Sequence, residues 1–124
     1  MRTRTGITMH IGELAERTGL SLRTIRHYDD VGLLPATART EGGFRVYSEE
    51  DFQSLMVIKQ MKPLGFALEE MAEILALLDS RDALTPSSEG DDKLSGFRQQ
   101  ALTQRVKMAR NLAQADEFIR RLER

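Results

Sequence analysis

Apolar residues recur along this chain at the three-to-four spacing of buried helix faces, and glycine or proline breaks the pattern at intervals. Ile11, Leu14 and Ala15 set the first stripe, at i, i+3 and i+4. Thr18-Gly19-Leu20 interrupts it. Ser21 then stands where an N-cap hydroxyl belongs, just before Leu22, Ile25 and a run to Val31. Gly32 ends this second helix, since glycine tolerates the left-handed backbone of a C-cap. Two short helices across a Gly-containing turn make a helix-turn-helix pattern. Leu33-Leu34-Pro35 leaves the pair, with Pro35 pushing Leu34 toward extended geometry.

The pattern then changes period. Ala38-Arg39-Thr40 and Phe44-Arg45-Val46-Tyr47 flank Glu41-Gly42-Gly43, which reads as two short extended runs around a Gly-Gly turn. A hairpin directly after a helix-turn-helix is a wing. Ser48-Glu49-Glu50-Asp51 opens another helix, with a hydroxyl cap and acids that complement the dipole. Phe52, Leu55, Met56, Ile58 and Met61 give it a broad buried face, and Pro63-Leu64-Gly65 stops it. A further helix follows, with Met71, Ile74, Leu75 and Leu78 as its stripe and Ala67 as a weak cap.

Residues 79–92 hold Pro86, Ser87, Ser88 and Gly90 among few apolar residues, so a linker loop is expected there. Leu94, Phe97, Ala101, Met108, Leu112, Ala115, Ile119 and Leu122 then recur in a coiled-coil-like seam that Arg105 interrupts. A helix of about four heptads spans roughly 40 Å. Such a helix on a polar tether has little of its own chain to pack on, so it should find a second copy. The expected organisation is a tail at 1–8, a winged helix-turn-helix domain at 9–78, the linker at 79–92 and a dimerisation helix at 93–124.

Composition narrows the possibilities. Cysteine is absent from the 124 residues, so no disulfide and no thiolate metal site is possible. That fits a cytoplasmic protein. MRTRTGIT lacks an apolar stretch and is no signal peptide. The net charge is −1, unlike the global basicity of a nonspecific nucleic-acid binder. Charge is patterned instead, with acids at Glu69-Glu70, Glu89 and Asp91-Asp92 and arginines in the second helix and the wing. DNA binding would therefore use a local patch. His10 and His27 do not make a metal site, and no catalytic constellation stands at a workable spacing.

The segments HIGELAERTGLSLRTIRHYDDVGLL (10–34) and ARTEGGFRVYSEEDFQSLMVIKQMKPLGFALEEMAEIL (38–75), with the long helical pattern beyond, resemble the MerR family of transcriptional regulators. The Arg-x-Tyr of the second helix, the Gly-x-Arg-x-Tyr of the wing and the later Leu-Gly-Phe fall in family order and spacing. The resemblance implies a mainly α fold: a winged helix-turn-helix DNA-binding domain and a long C-terminal helix pairing as an antiparallel coiled coil. It implies a homodimeric regulator that distorts promoter DNA and acts on RNA polymerase through the promoter.

By position, Arg23 and Thr24 are similar to the family's base-reading residues; arginine can fork onto guanine and a Thr methyl can touch thymine. Arg26, His27 and Tyr28 resemble its phosphate-contacting triplet, with His27 where an aromatic is usual. Arg39, Arg45 and Tyr47 match the first wing and Lys62 the second, where Pro63 removes one N–H donor. Glu41 makes the wing tip itself unsuited to DNA. The eight seam residues match the family's dimer interface.

Family members that bind drugs carry a further domain, and metal sensors carry cysteines. This sequence shows neither, which leaves no effector, a small ligand between linker and dimer helix, or a partner protein. The alternative from another class is a protein-interaction module, in which the C-terminal helix captures a partner and the helix-turn-helix is scaffold.

Overall fold

The computed structural model describes residues 8–81 and 88–123. Among them the chain runs β1 (Thr8–His10), α1 (Ile11–Thr18), α2 (Leu22–Asp30), β2 (Ala38–Arg39), β3 (Arg45–Ser48), α3 (Glu49–Met61), a 3-10 turn (Lys62–Leu64), α4 (Leu68–Arg81) and α5 (Ser88–Leu122).

The helix ends follow their local chemistry. Gly19 closes α1 at φ 77°, where an L side chain would be strained, and its N–H reaches the Ala15 carbonyl. The Ser21 hydroxyl accepts from the Thr24 N–H at 3.1 Å and caps α2. At the far end the N–H groups of Leu33 and Gly32 return to the carbonyls of Tyr28 and Asp29, the paired bonds of a Schellman stop. Ser48 and Asp51 form a complete capping box on α3. Ala67 offers no cap of its own; the Glu70 carboxylate accepts its N–H at 2.8 Å instead.

The sheet has order β1-β3-β2, all antiparallel, with Met9 opposite Tyr47 and Arg39 opposite Arg45. The β2–β3 hairpin is the expected wing. Strand β1 was not anticipated. Its Met9 faces the core while Thr8 and His10 face out.

Leu14, Ile25, Tyr47, Leu55, Ile58 and Met71 make the centre of the core, so α1, α2, α3, α4 and the sheet close on one another. Polar contacts pin α1 to α3. Arg17 forks onto Glu49 at 2.9 and 3.0 Å and lies 3.9 Å over the Phe52 ring. Lys59 Nζ donates to the Thr18 carbonyl at 2.6 Å, placing a cation at the negative end of α1.

The structure shortens the expected 79–92 linker from both sides. Residues 79–81 finish α4, and α5 already begins at Ser88. Gly90 reads as a breaker, yet it lies in a first turn where Glu89 and Asp91 favour the helix dipole. Residues 82–87, with Pro86, and residues 1–7 of the expected tail fall outside the described residues.

Helix α5 has 35 residues, a span of about 52 Å. Its first third packs on its own head. Phe97 meets Phe66 edge-on at 6.0 Å, Lys93 pairs with Glu73 at 3.2 Å, and Phe97 and Ala101 lie against the core. From Arg105 to Glu123 its side chains are exposed, Met108, Leu112, Ile119 and Leu122 among them. Of the seam residues, Phe97 and Ala101 thus pack on their own head, while Met108, Leu112, Ala115, Ile119 and Leu122 are exposed among the described residues.

Candidate nucleic-acid interface

Helix α2 divides its residues cleanly. Ile25 and Tyr28 are buried against the core, while Arg23, Arg26 and His27 are exposed. Positions i, i+3 and i+4 share one helix face, so these three side chains point outward together. Among the described residues neither Arg23 nor Arg26 has an ion-pair or hydrogen-bond partner. Thr24 sits beside them, half-buried, and its Oγ1 accepts from the Ser21 hydroxyl at 2.9 Å. His27 leans toward Tyr28 with ring centroids 6.0 Å apart.

Tyr28 and Tyr47 are placed differently from the sequence expectation. Tyr28 is a core residue, and burial raises its phenol pKa. Tyr47 is 0% exposed on β3. Strand alternation turns it inward, and a ring with no accessible surface cannot reach a duplex unless the wing moves. Burial, and then the nearby Asp29 charge, raises the Tyr47 pKa. Its hydroxyl is a buried polar atom without a partner.

The wing turn is tied by backbone and side chain alike. Thr40 N–H donates to the Phe44 carbonyl at 2.9 Å, Gly43 N–H to the Thr40 carbonyl at 2.8 Å, and Gly43 takes φ 85°. Arg39 donates to the Gly43 carbonyl at 3.0 Å and stays exposed. Phe44 is 68% exposed at the same end, its ring lying over Gly42.

Arg45 turns toward the helix. Its Nε donates to Asp29 Oδ2 at 2.5 Å and its Nη2 to Asp30 Oδ1 at 3.3 Å, leaving the side chain 20% exposed. Asp29 also accepts the Ala36 N–H at 3.2 Å and lies 3.9 Å from Arg39. Partial burial pushes the Asp29 carboxyl up, but the Arg45 hydrogen bond, the Ala36 N–H and both arginine charges outweigh it, leaving it below the usual carboxylate range. Neither Asp29 nor its role is legible in the Arg-x-Tyr motif that precedes it.

Lys62 is exposed in the 3-10 turn, with Pro63 beside it and Gly65 at φ 85°. Helix α3 carries it about 20 Å from the start of that helix beside the wing. The structure thus gathers Arg23, Arg26 and His27 on one face and sets the wing arginines beside the same helix. Lys62 stands apart.

A family model for the MerR HTH family regulatory protein matches residues 9–78. The chain belongs to the MerR family.

Its relatives agree. It is similar to the mercuric resistance operon regulatory protein of Bacillus cereus, at 44% identity over 73 residues, covering 59% of this chain and 55% of that one. The chain thus spans about half the length of that relative. It is also similar to heavy metal-dependent transcription regulator 2 of Rhizobium meliloti, at 32% identity over 115 residues, covering 93% of this chain and 72% of that one. Among solved structures it resembles HiNmlR, a MerR family regulator lacking the sensor domain and bound to promoter DNA. The TM-score is 0.69 at 26% identity, over 94% of this chain and 88% of that one. The family is regulatory, not enzymatic. Among the described residues, no helix of this MerR-family chain is long and apolar enough to cross a membrane.

Proposed function

We propose that this chain is a promoter-binding transcriptional regulator that acts as a homodimer. The observation that carries this reading is the face of α2. It holds two arginines without a side-chain partner among the described residues, next to a Ser21 cap that leaves Leu22 and Arg23 exposed at the start of the helix. Elsewhere in the head, Arg17 and Arg45 are both paired with acids. In a helix-turn-helix the N-terminal part of the second helix meets base edges. Arg23 and Thr24 occupy that part here, and Arg26 and His27 follow toward phosphate. Arg39 on the wing and Lys62 beyond α3 extend the contact along the backbone. These phosphate contacts offset the cost of distorting the duplex.

The free half of α5 supports pairing with a second copy. Met108, Leu112, Ala115, Ile119 and Leu122 repeat at alternating spacings of four and three, the spacing of a coiled-coil seam. An antiparallel pair would hold two heads at a fixed separation on one duplex. RNA polymerase is then affected through the shape of the promoter.

A gel shift on the chain's own upstream region tests the reading. Wild type is expected to retard that fragment, and Arg26→Ala to lose it while remaining dimeric. Equal retardation by both proteins, or none by wild type at low salt, contradicts it.

A further inference from the structure

The outer arm of the wing has a short ladder, extended by the Thr37 N–H to the Val46 carbonyl and the Thr40 N–H to the Phe44 carbonyl. Strand β2 meets β3 at two positions, Ala38 with Val46 and Arg39 with Arg45. Strand β1 holds the other side of β3, but β2 is the sheet's edge, so the angle of the wing tip depends on side-chain contacts beyond this ladder. The carboxylate of Asp29 supplies such contacts. It touches Arg45 on one arm, lies within ion-pair reach of Arg39 on the other, and accepts the Ala36 N–H in the connection from α2 into the wing. Asp30 takes the remaining side of the Arg45 fork.

These contacts set a conflict for Arg45. A phosphate would have to displace a short charge-assisted hydrogen bond inside a side chain that is mostly covered. Two acids in the last turn of the helix proposed to face DNA also weaken nonspecific attraction to the backbone.

We propose that Asp29 is a positioning residue for DNA recognition. It fixes the wing against α2 and withholds the Arg45 guanidinium, and part of the Arg39 charge, from phosphate. This rests on the DNA-binding reading above. Arg45 is then a brace and not a phosphate anchor, and specificity gains because the head's free cations are confined to geometrically fixed sites.

The test uses the full chain and two variants, Asp29→Asn and Arg45→Ala. Binding is measured on a duplex selected by wild type and on an unrelated duplex, across a salt series. Asp29→Asn keeps an oxygen for the Ala36 N–H but removes the charge that holds both arginines, leaving Arg45 only its longer contact to the exposed Asp30. Its affinity for the unrelated duplex is expected to rise several-fold, with a salt slope steeper by roughly one per head. Its preference for the selected duplex is expected to fall roughly tenfold, the scale of losing one specifying contact. Asp29→Glu should restore part of that preference. Arg45→Ala should bind the selected duplex more weakly with the slope unchanged.

If Asp29→Asn loses affinity for both duplexes by one factor at constant slope, or changes neither, the proposal is overturned. A drop of about one per head in the slope of Arg45→Ala overturns it as well, because that marks a phosphate contact. A wild-type chain that binds neither duplex overturns the DNA-binding reading and this proposal with it.

Discussion

Truncation of Leu112 in the free half of α5 probes the pairing of two copies. Leu112 is 63% exposed in the single chain, and it lies in register with Met108, Ala115 and Ile119. Fully burying a leucine side chain contributes about 1.5–3 kcal/mol. Covering the exposed share recovers about 1–2 kcal/mol, and most of that is lost in Leu112→Ala. The residue occurs once in each copy, so a symmetric dimer loses about 2–4 kcal/mol, or roughly thirty- to a thousandfold in its dissociation constant. Sedimentation equilibrium over a dilution series reads that constant directly. The head should be untouched, because Leu112 is absent from the core cluster that closes around Leu14, Ile25 and Leu55. Helicity and the first thermal transition at high concentration therefore serve as controls. A dissociation constant unchanged within threefold would refute the assignment of this face to the dimer. So would a wild-type chain that stays monomeric at every concentration.

Other expectations follow from single groups. Tyr47→Phe removes a buried hydroxyl without a partner; it should be neutral or stabilising by about 1 kcal/mol in denaturant titration, and a clear loss would mean the hydroxyl is satisfied. Ser48→Ala breaks the capping box on α3 and should cost about 1 kcal/mol, seen as a lower thermal midpoint with native helicity retained. Gly43→Ala places a side chain at φ 85°; it should cost about 1–2 kcal/mol and weaken DNA binding through the wing. The Asp29 carboxyl titrates below the usual range in the folded chain, so its stabilising share is present above about pH 4 and is lost as pH falls through the folded-state value. The thermal-midpoint advantage of wild type over Asp29→Asn should accordingly shrink on acidification. An advantage that grows would contradict the assigned sign.

Much of the fold was legible because its signals are local. Ser21, Gly32, Ser48 with Asp51, and Pro63-Leu64-Gly65 each act within one turn of helix, and each marks the boundary the structure shows. Strand β1 was missed because three residues carry almost no periodicity; it exists by pairing with β3, some forty positions away. The motif spacing named Tyr28 and Tyr47 but could not say which way their rings turn, and packing turned both inward. Asp29 escaped notice for the same reason: its partner Arg45 lies 16 residues on and is brought near only by the wing. The seam on α5 was read from its period, and period does not tell which surface covers it. The structure shows Phe97 and Ala101 packed on their own head and Leu112 uncovered.

On the proposed reading each head offers a small set of exposed cations to phosphate, although the chain as a whole carries a net charge of −1. Fluorescence anisotropy of a labelled operator duplex, titrated with the chain over a series of salt concentrations, measures this most directly. With Arg23, Arg26, Arg39 and Lys62 engaged in each of two subunits, log K against log salt should fall with a slope of roughly −7. A slope near zero, or one that Arg23→Ala and Arg26→Ala leave unchanged, contradicts the account.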